Sequence, residues 1–242
     1  MNDSTILKWS NNTLHARLIS HSQPSSRIHA GELAAQGLDN IQDLIAYAAR
    51  VSNPTNQANT KTTPKLLDYL IKHKHWSPFE MASACIEITT TRDIARQLLR
   101  HRSFSFQEFS QRYADIRDLD DNFVIREARL QDPKNRQNSV EVDNPALSGE
   151  WNMRQRDVID TAKKHYNWAI ENGIAKEQAR AVLPEGNTVS KLYVNGTIRS
   201  WIHYIDLRSA NGTQLEHMEL ARAVGEAIGL IYPKALEFIT ED

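Results

Sequence analysis

Apolar residues recur along this chain with two distinct periods. Ala84, Ile86 and Ile88 alternate with Cys85, Glu87 and Thr89, the period of two that predicts a half-buried strand. Thr188–Val194 reads as a second strand, and Leu14–Ser20 as a short third. Elsewhere the spacing is helical. Asp39 with Gln42 three residues on makes a capping box ahead of Ile41, Leu44, Ile45, Ala48 and Ala49, a helix ending near Arg50-Val51-Ser52. Thr63-Pro64, a cap followed by proline in the first turn, opens a helix carrying Leu66, Leu67, Leu70 and Ile71. Ile94, Ala95, Leu98 and Leu99 mark the inward face of a helix from about Arg92. Trp151, Val158, Ile159, Ala162, Tyr166 and Ala169 share one face of a helix from Trp151 to Ile170, which Asn172-Gly173 stops. A short helix ends at Leu183-Pro184. Thr197 caps a helix with Ile198, Trp201, Ile202 and Ile205. Thr213 with Glu216 makes a further capping box, for a helix that runs to Ile231 before Pro233.

The segments between these elements are polar. Gln23–Gly37 and Thr60–Thr63 read as connections, while Gln131–Gly149, with two prolines and no period, reads as a long surface loop or insertion. Helices and strands interleave without a repeat. The expected fold is therefore a single α/β (α+β) domain over residues 1–242, with a central mixed or antiparallel twisted sheet flanked by helices.

Charge narrows the functional classes. The 242 residues carry 29 Lys+Arg against 30 Asp+Glu, a net charge of −1, which argues against nucleic-acid binding through a broad basic face. No apolar run approaches the roughly 18 residues of a membrane span, and Met1-Asn2-Asp3-Ser4 shows no secretory signal. A single cysteine, Cys85, cannot form an internal disulfide and reads as a buried structural thiol, so the expected compartment is the reducing cytoplasm. None of the nine glycines falls in a GxGxxG or GxxxxGK[ST] pattern. Phosphates would have to be held by arginine side chains and ordinary helix N-termini.

Arginines concentrate at the centre of the chain. Arg96–Tyr113 reads RQLLRHRSFSFQEFSQRY, with four arginines against Glu108 alone. Gln97, Arg100 and His101 can share one side of the helix end. Ser105, Gln107, Glu108, Ser110, Gln111 and Arg112 follow, interspersed with Phe104, Phe106 and Phe109. Cations, hydroxyls, amides and a carboxylate on one connector suit a ligand with phosphate, sugar and base. The same residues also suit a solvated helix end followed by a loop pinned by phenylalanines. Two other readings stay open on composition: a metal hydrolase built on His73, His75, His101 and Glu80, though without HExxH, and a nucleic-acid module using interleaved Arg and Phe.

The order of these residues resembles a known signature. Arg100-His101-Arg102 followed by Ser105, Glu108, Ser110, Arg112 and Tyr113 is similar to the RHRxxSxxExSxRY pattern of the flavin-dependent thymidylate synthases. Ala48-Ala49-Arg50-Val51-Ser52, His75-Trp76-Ser77-Pro78-Phe79-Glu80, Arg180-Ala181-Val182-Leu183-Pro184, and Arg199-Ser200-Trp201 through Arg208, Gln214 and Glu216 look like further segments of that family. The similarity runs from about residue 40 to residue 230. The chain departs from many relatives at Gln107 and Thr197, where they carry Asn, and at Gly212, where some carry His.

The resemblance implies reductive methylation of dUMP to dTMP. Carbon would come from 5,10-methylenetetrahydrofolate and reducing equivalents from NADPH through FAD, with no cysteine nucleophile. It implies no metal and a homotetramer with active sites between subunits. By match, Gln97, Arg100, Glu108, Ser110, Gln111, Arg112, Arg180 and Arg208 would bind dUMP. Ser52, Ser77, Arg100, His101, Arg102, Glu108, Thr197, Ile198, Arg199 and His203 would contact FAD, with His75 near flavin and folate. Arg208 would be catalytic, a permanent cation beside N3 and O2 of the uracil that enriches C5 in electron density. Ser110 has no partnering His-Asp pair at a recognisable spacing, which leaves it a binding role.

Overall fold

The protein is described here by a computed structural model, covering residues 6–8, 15–25, 38–119 and 122–240. Leu14 and positions 26–37 of the polar connection lie outside the described residues. A four-stranded antiparallel sheet organises the molecule, in the order β2 (His15–His21), β3 (Ser83–Thr91), β8 (Val189–Thr197), β4 (Ser105–Glu108). Alternation does its work on the central pair. Ile86 lies opposite Val194 and Ile88 opposite Leu192, and all four are fully buried on one face.

Helices α6 (Ile198–Arg208) and α7 (Leu215–Gly229) cover that face with Trp201, Ile202, Ile205, Leu220 and Val224. Helices α1 (Ile41–Ala49) and α2 (Thr63–Lys72) add Ile41, Ile45, Leu67 and Leu70 to the same core. Burial of these side chains, at roughly 1.5–3 kcal/mol each, is the main force that sets β3 and β8 beneath α6 and α7. The Trp201 indole N–H is satisfied inside the core by the Ala84 carbonyl at 3.0 Å. Gly196 answers a close approach, since a Cβ there would sit 2.3 Å from Cδ1 of the buried Phe104 ring. Both β3 and β8 feed directly into helices, α3 (Arg92–Leu98) and α6. Because the strands are antiparallel, the two helices start at opposite ends of the pair, α3 beside Val189 and α6 beside Ser83.

A smaller core lies under α4 (Pro145–Glu171), where Ile159, Tyr166 and Ala169 pack with Ile116, Phe123, Ile125 and Ala179. Ala179 ends the short helix α5 (Lys176–Ala179). Strand β5 (Phe123–Ile125) pairs in parallel with β1 (Ile6–Lys8). Strands β6 (Arg129–Gln131) and β7 (Ser139–Glu141) form a hairpin.

Several sequence expectations need correction in detail. Helix α1 is capped by Asn40, whose side chain accepts from the Gln42 and Asp43 N–H groups at 2.9 and 3.0 Å, rather than by Asp39. Helix α7 opens after Gln214 without a side-chain cap, because the Glu216 carboxylate is taken by Arg129 and Gln214 instead of returning to Thr213. Trp151 and Val158 are 44% and 52% exposed. The buried stripe on α4 is narrower, following Ile159, Ala162, Tyr166 and Ala169, and Val158 stands about 100° round the helix from Ile159. The Phe-anchored connector contains β4, which pairs Ser105 with Asn195 and Glu108 with Leu192. Positions 131–149 hold β7 and the first turn of α4, and the Asn144 side chain caps that helix at the Leu147 N–H, 3.1 Å away. Cys85 is half-buried rather than buried, on the sheet face away from α6, and burial still pushes its thiol pKa up.

Candidate functional site

The end of α3 brings the arginine-rich signature against α6 and α7. The chain leaves α3 through tight turns, with the His101 N–H donating to the Leu98 carbonyl at 3.0 Å. This turn leaves Arg100 and Arg102 exposed and points His101 inward, its ring edge-on to Tyr204 at 5.1 Å. Arg208, at the end of α6, donates from Nε to His101 Nε2 at 3.1 Å. A histidine that accepts there is neutral, with its proton on Nδ1. Burial, and then the Arg208 charge, lower the His101 pKa and keep it so. The contact uses only Nε of the guanidinium, so both terminal amino groups of Arg208 keep their planar fork.

Beside this pair runs a chain of hydrogen bonds. His217 Nδ1 lies 3.1 Å from Gln97 Oε1, and Gln97 Nε2 donates to Gln214 Oε1 at 2.7 Å. Gln214 Nε2 donates to Glu216 Oε2 at 2.9 Å, and Arg129 donates to Glu216 Oε1. His217 and Glu216 are buried to 0% and 1% exposure. Burial pushes the His217 pKa down to about 3, assisted by the charges of Arg208 and His101.

Glu108, on β4, is held on three sides. Its Oε1 accepts from Ser190 at 2.9 Å and from Arg92 at 3.5 Å, while Oε2 accepts from Arg96 at 3.4 Å. Arg92 and Arg96 are one turn apart on α3, and Arg96 also pairs with Glu185 at 3.2 Å. Arg112 and Arg180 meet around Glu177, the first at its carboxylate (3.6 Å) and the second at its backbone carbonyl (3.3 Å). Burial is the main cause that lowers the Arg92 pKa, followed by the Arg96 charge and, more weakly, by that of Arg180. Ser110 is exposed, whereas Gln111 is 3% exposed and its amide nitrogen is buried with no hydrogen-bond partner among the described residues.

The residues matched to flavin contacts fall at the start of α6 and across from it. Thr197 accepts the Ser200 N–H at 3.2 Å as the helix cap, so its hydroxyl oxygen is engaged locally. Ser200 in turn reaches the Ser103 carbonyl at 3.4 Å. Ile198 is fully buried, and its N–H donates to the Ala82 carbonyl at 2.9 Å. Arg199 pairs with Glu80, and His203, one turn on, meets the Trp76 ring edge-on at 4.8 Å. Burial, then the Arg199 charge, lower the His203 pKa. Ser52 and Ser77 are exposed, the latter opening a 3₁₀ turn over Ser77–Met81. His75 is exposed and lies 6.0 Å from the Tyr69 ring and 6.1 Å from His73.

The fold thus joins Gln97, His101 and Arg208 to Gln214 and Glu216, and separately gathers Glu108, Arg112 and Arg180 with their partners. Sequence reasoning missed Arg92, Ser190, Arg129, Tyr204 and His217. Only Arg92 carried a signal, as a cation one turn before Arg96. A cavity of about 590 Å³ opens beside this region, lined by Arg129, Arg136, Asn138, Leu147, Trp151 and Gln214 among others. Among the described residues, no three His, Cys, Asp or Glu side chains are grouped to hold a metal ion, and no helix is long and apolar enough to cross a membrane.

Comparison with known proteins places this arrangement. Residues 34–234 match the sequence model of the family described as "Thymidylate synthase complementing protein". The chain is 47% identical over 229 residues to a Paramecium bursaria Chlorella virus 1 protein named "Probable flavin-dependent thymidylate synthase", covering 93% of this chain and all of the relative. It is also 47% identical over 210 residues to the flavin-dependent thymidylate synthase of Synechocystis sp., covering 87% of this chain and 92% of that one. Its fold is shared with a UMP/dUMP methylase from Streptomyces cacaoi, at a TM-score of 0.76 and 24% identity over 96% of this chain and 95% of the other. A match over more than four-fifths of the chain, with relatives covered along nearly their whole length, decides the question: the chain belongs to the flavin-dependent thymidylate synthase family.

Proposed function

We propose that this enzyme reductively methylates dUMP to dTMP, with 5,10-methylenetetrahydrofolate as carbon donor, NADPH as reductant and FAD as hydride carrier. The observation that carries the reading is the His101–Arg208 contact, which joins the signature to the family's final segment across 107 positions. A neutral imidazole holds Nε of the guanidinium and leaves its fork for a uracil ring. A cation at N3 and O2 stabilises the N3-deprotonated ring and raises electron density at C5, the carbon that must gain the methyl group. Cys85 is not needed for this activation. Its thiol is half-buried with a raised pKa, a poor source of thiolate.

Gln97, bonded to Gln214 and His217, has one amide hydrogen and one lone pair left for the base. Arg112 and Arg180 supply cations for the 5′-phosphate, with Arg100, Ser110 and Gln111 around it. Glu108, fixed between Arg92 and Arg96, orders this cationic group. Its held carboxylate serves as an acceptor for dUMP and FAD.

The donor chemistry fits FAD. Exposed Arg100 and Arg102, with Arg199, suit its pyrophosphate, and His203 against Trp76 offers ring surface, with Ser52, Ser77, Thr197 and Ile198 around it. His75 would stand near flavin and folate. When bound, FAD supplies the hydride that the transferred one-carbon unit needs to become a methyl group. That so many of these side chains are exposed on one copy supports a homotetramer with sites completed between subunits. We place it in the cytoplasm.

The test is anaerobic reduction of the flavin-loaded protein, followed by dUMP and methylenetetrahydrofolate. The expected product is dTMP. A reduced flavin that never yields dTMP with both substrates present would refute the reading.

A further inference from the structure

His217 is a buried imidazole that the proposed chemistry does not use. Its surroundings determine its hydrogen-bonding state without reference to any ligand. Glu216, held by Arg129, is a carboxylate and can only accept. The Gln214 atom facing it must therefore be the amide nitrogen, which leaves the Gln214 oxygen toward Gln97. The Gln97 atom facing Gln214 must then be its nitrogen, and its oxygen faces His217. His217 must donate from Nδ1. All donors in this chain point from His217 toward Glu216: the carboxylate end sets one orientation for each amide, and a donor at His217 Nδ1 matches it at the other end.

We infer that His217 is a positioning residue that locks the Gln97 amide in one orientation, so that Gln97 presents a fixed donor and acceptor to the pyrimidine of the nucleotide. This rests on the assignment of Gln97 to the dUMP site. Three observations support a polar duty over packing. His217 is 0% exposed in a helix whose other buried positions in these two turns are Met218, Leu220 and Ala221, apart from Glu216, which is itself hydrogen-bonded. Burying a polar ring there is costly unless its hydrogen bonds matter. Among the described residues its Nε2 has no hydrogen-bond partner, so the Nδ1 contact with Gln97 is the polar bond that justifies an imidazole over an apolar side chain. Finally, burial and the charges of Arg208 and His101 hold the ring neutral, the state in which one nitrogen is a committed donor.

Asparagine can place its amide nitrogen where Nδ1 stands, whereas glutamine reaches the Nε2 position, and leucine offers no donor. The experiment uses the FAD-loaded enzyme and measures dUMP binding by calorimetry and dTMP turnover, for wild type, His217→Leu, His217→Asn, His217→Gln, Gln97→Ala and the Gln97→Ala/His217→Leu double variant. His217→Leu should weaken dUMP binding by about threefold to tenfold, the range of a single net hydrogen bond. His217→Asn should restore affinity to near wild type. In the Gln97→Ala background, His217→Leu should add no further loss, because a residue acting through Gln97 has nothing left to position. If the leucine variant does not fold, the Asn and Gln variants carry the comparison. Tight binding with Asn and weak with Gln supports the lock, and equal affinities overturn it. An undiminished effect of His217→Leu in the Gln97→Ala background also overturns it. Wild-type enzyme that does not bind dUMP would sink the functional reading itself, an outcome visible before any variant is made.

Discussion

Replacing Arg208 by lysine separates holding the nucleotide from activating it. Lysine keeps a positive charge in the same place but lacks both the Nε that engages His101 at 3.1 Å and the paired amino groups. His101 then loses its donor, and a single ammonium cannot address two uracil positions at once. Removing one preorganised donor from a site of developing charge costs about 10²–10³ in kcat. The retained charge places Arg208→Lys at the lower end, about a hundredfold, equivalent to about 2.7 kcal/mol of transition-state stabilisation. The apparent dUMP constant should change far less, because the arginines proposed to meet the phosphate, Arg112 and Arg180, are untouched. The assay is steady-state dTMP formation at varied dUMP, with NADPH oxidation and flavin absorbance as controls for an intact holoenzyme. If kcat is unchanged and only the dUMP constant rises, Arg208 contributes uniform binding and the electrostatic activation argument fails. If neither changes, Arg208 is an ordinary helix-end arginine.

Three further outcomes test other parts of the structure. His217, with its pKa lowered to about 3 in the folded protein, binds its proton in the unfolded chain below about pH 6.5, so stability is present above that value and is lost as the pH falls toward 3. At pH 5 the loss from this group is about 2 kcal/mol, and denaturant melts should show His217→Leu flattening the dependence between pH 6.5 and 4, with no flattening counting against a buried neutral ring. The lowered His101 pKa acts in the same direction. Gly196→Ala drives a methyl into the Phe104 ring and should destabilise by about 1–3 kcal/mol in urea melts, whereas an unchanged midpoint would mean the ring moves freely. Cys85→Ala should retain dTMP formation, and its loss in a folded, flavin-loaded variant would restore a role for the thiol.

The local sequence determined most of the secondary structure. Alternation at Ala84, Ile86 and Ile88 specifies a strand because one sheet face is buried, and helical spacing at Ile198, Trp201, Ile202 and Ile205 specifies α6 for the same reason. The signature residues were legible too, since chemistry-bearing side chains in a fixed order can be recognised without coordinates. Strand β4 escaped notice because four residues carry too few alternations to outweigh a connector rich in polar groups. The hairpin of β6 and β7 was hidden for the same reason, three residues a side being shorter than any periodic signal. Cap positions slipped by one at Asn40, where two neighbouring residues could both serve and only backbone geometry chooses. What tertiary structure alone decided is the pairing of polar groups across long separations. Glu108 meets Arg92 and Ser190, His101 meets Arg208, and Gln97 meets Gln214 and His217, because the pairing of β4 with β8 and the packing of the helices on the sheet bring distant segments together. No local pattern encodes such contacts, since each partner's burial and protonation state depend on the others being in place.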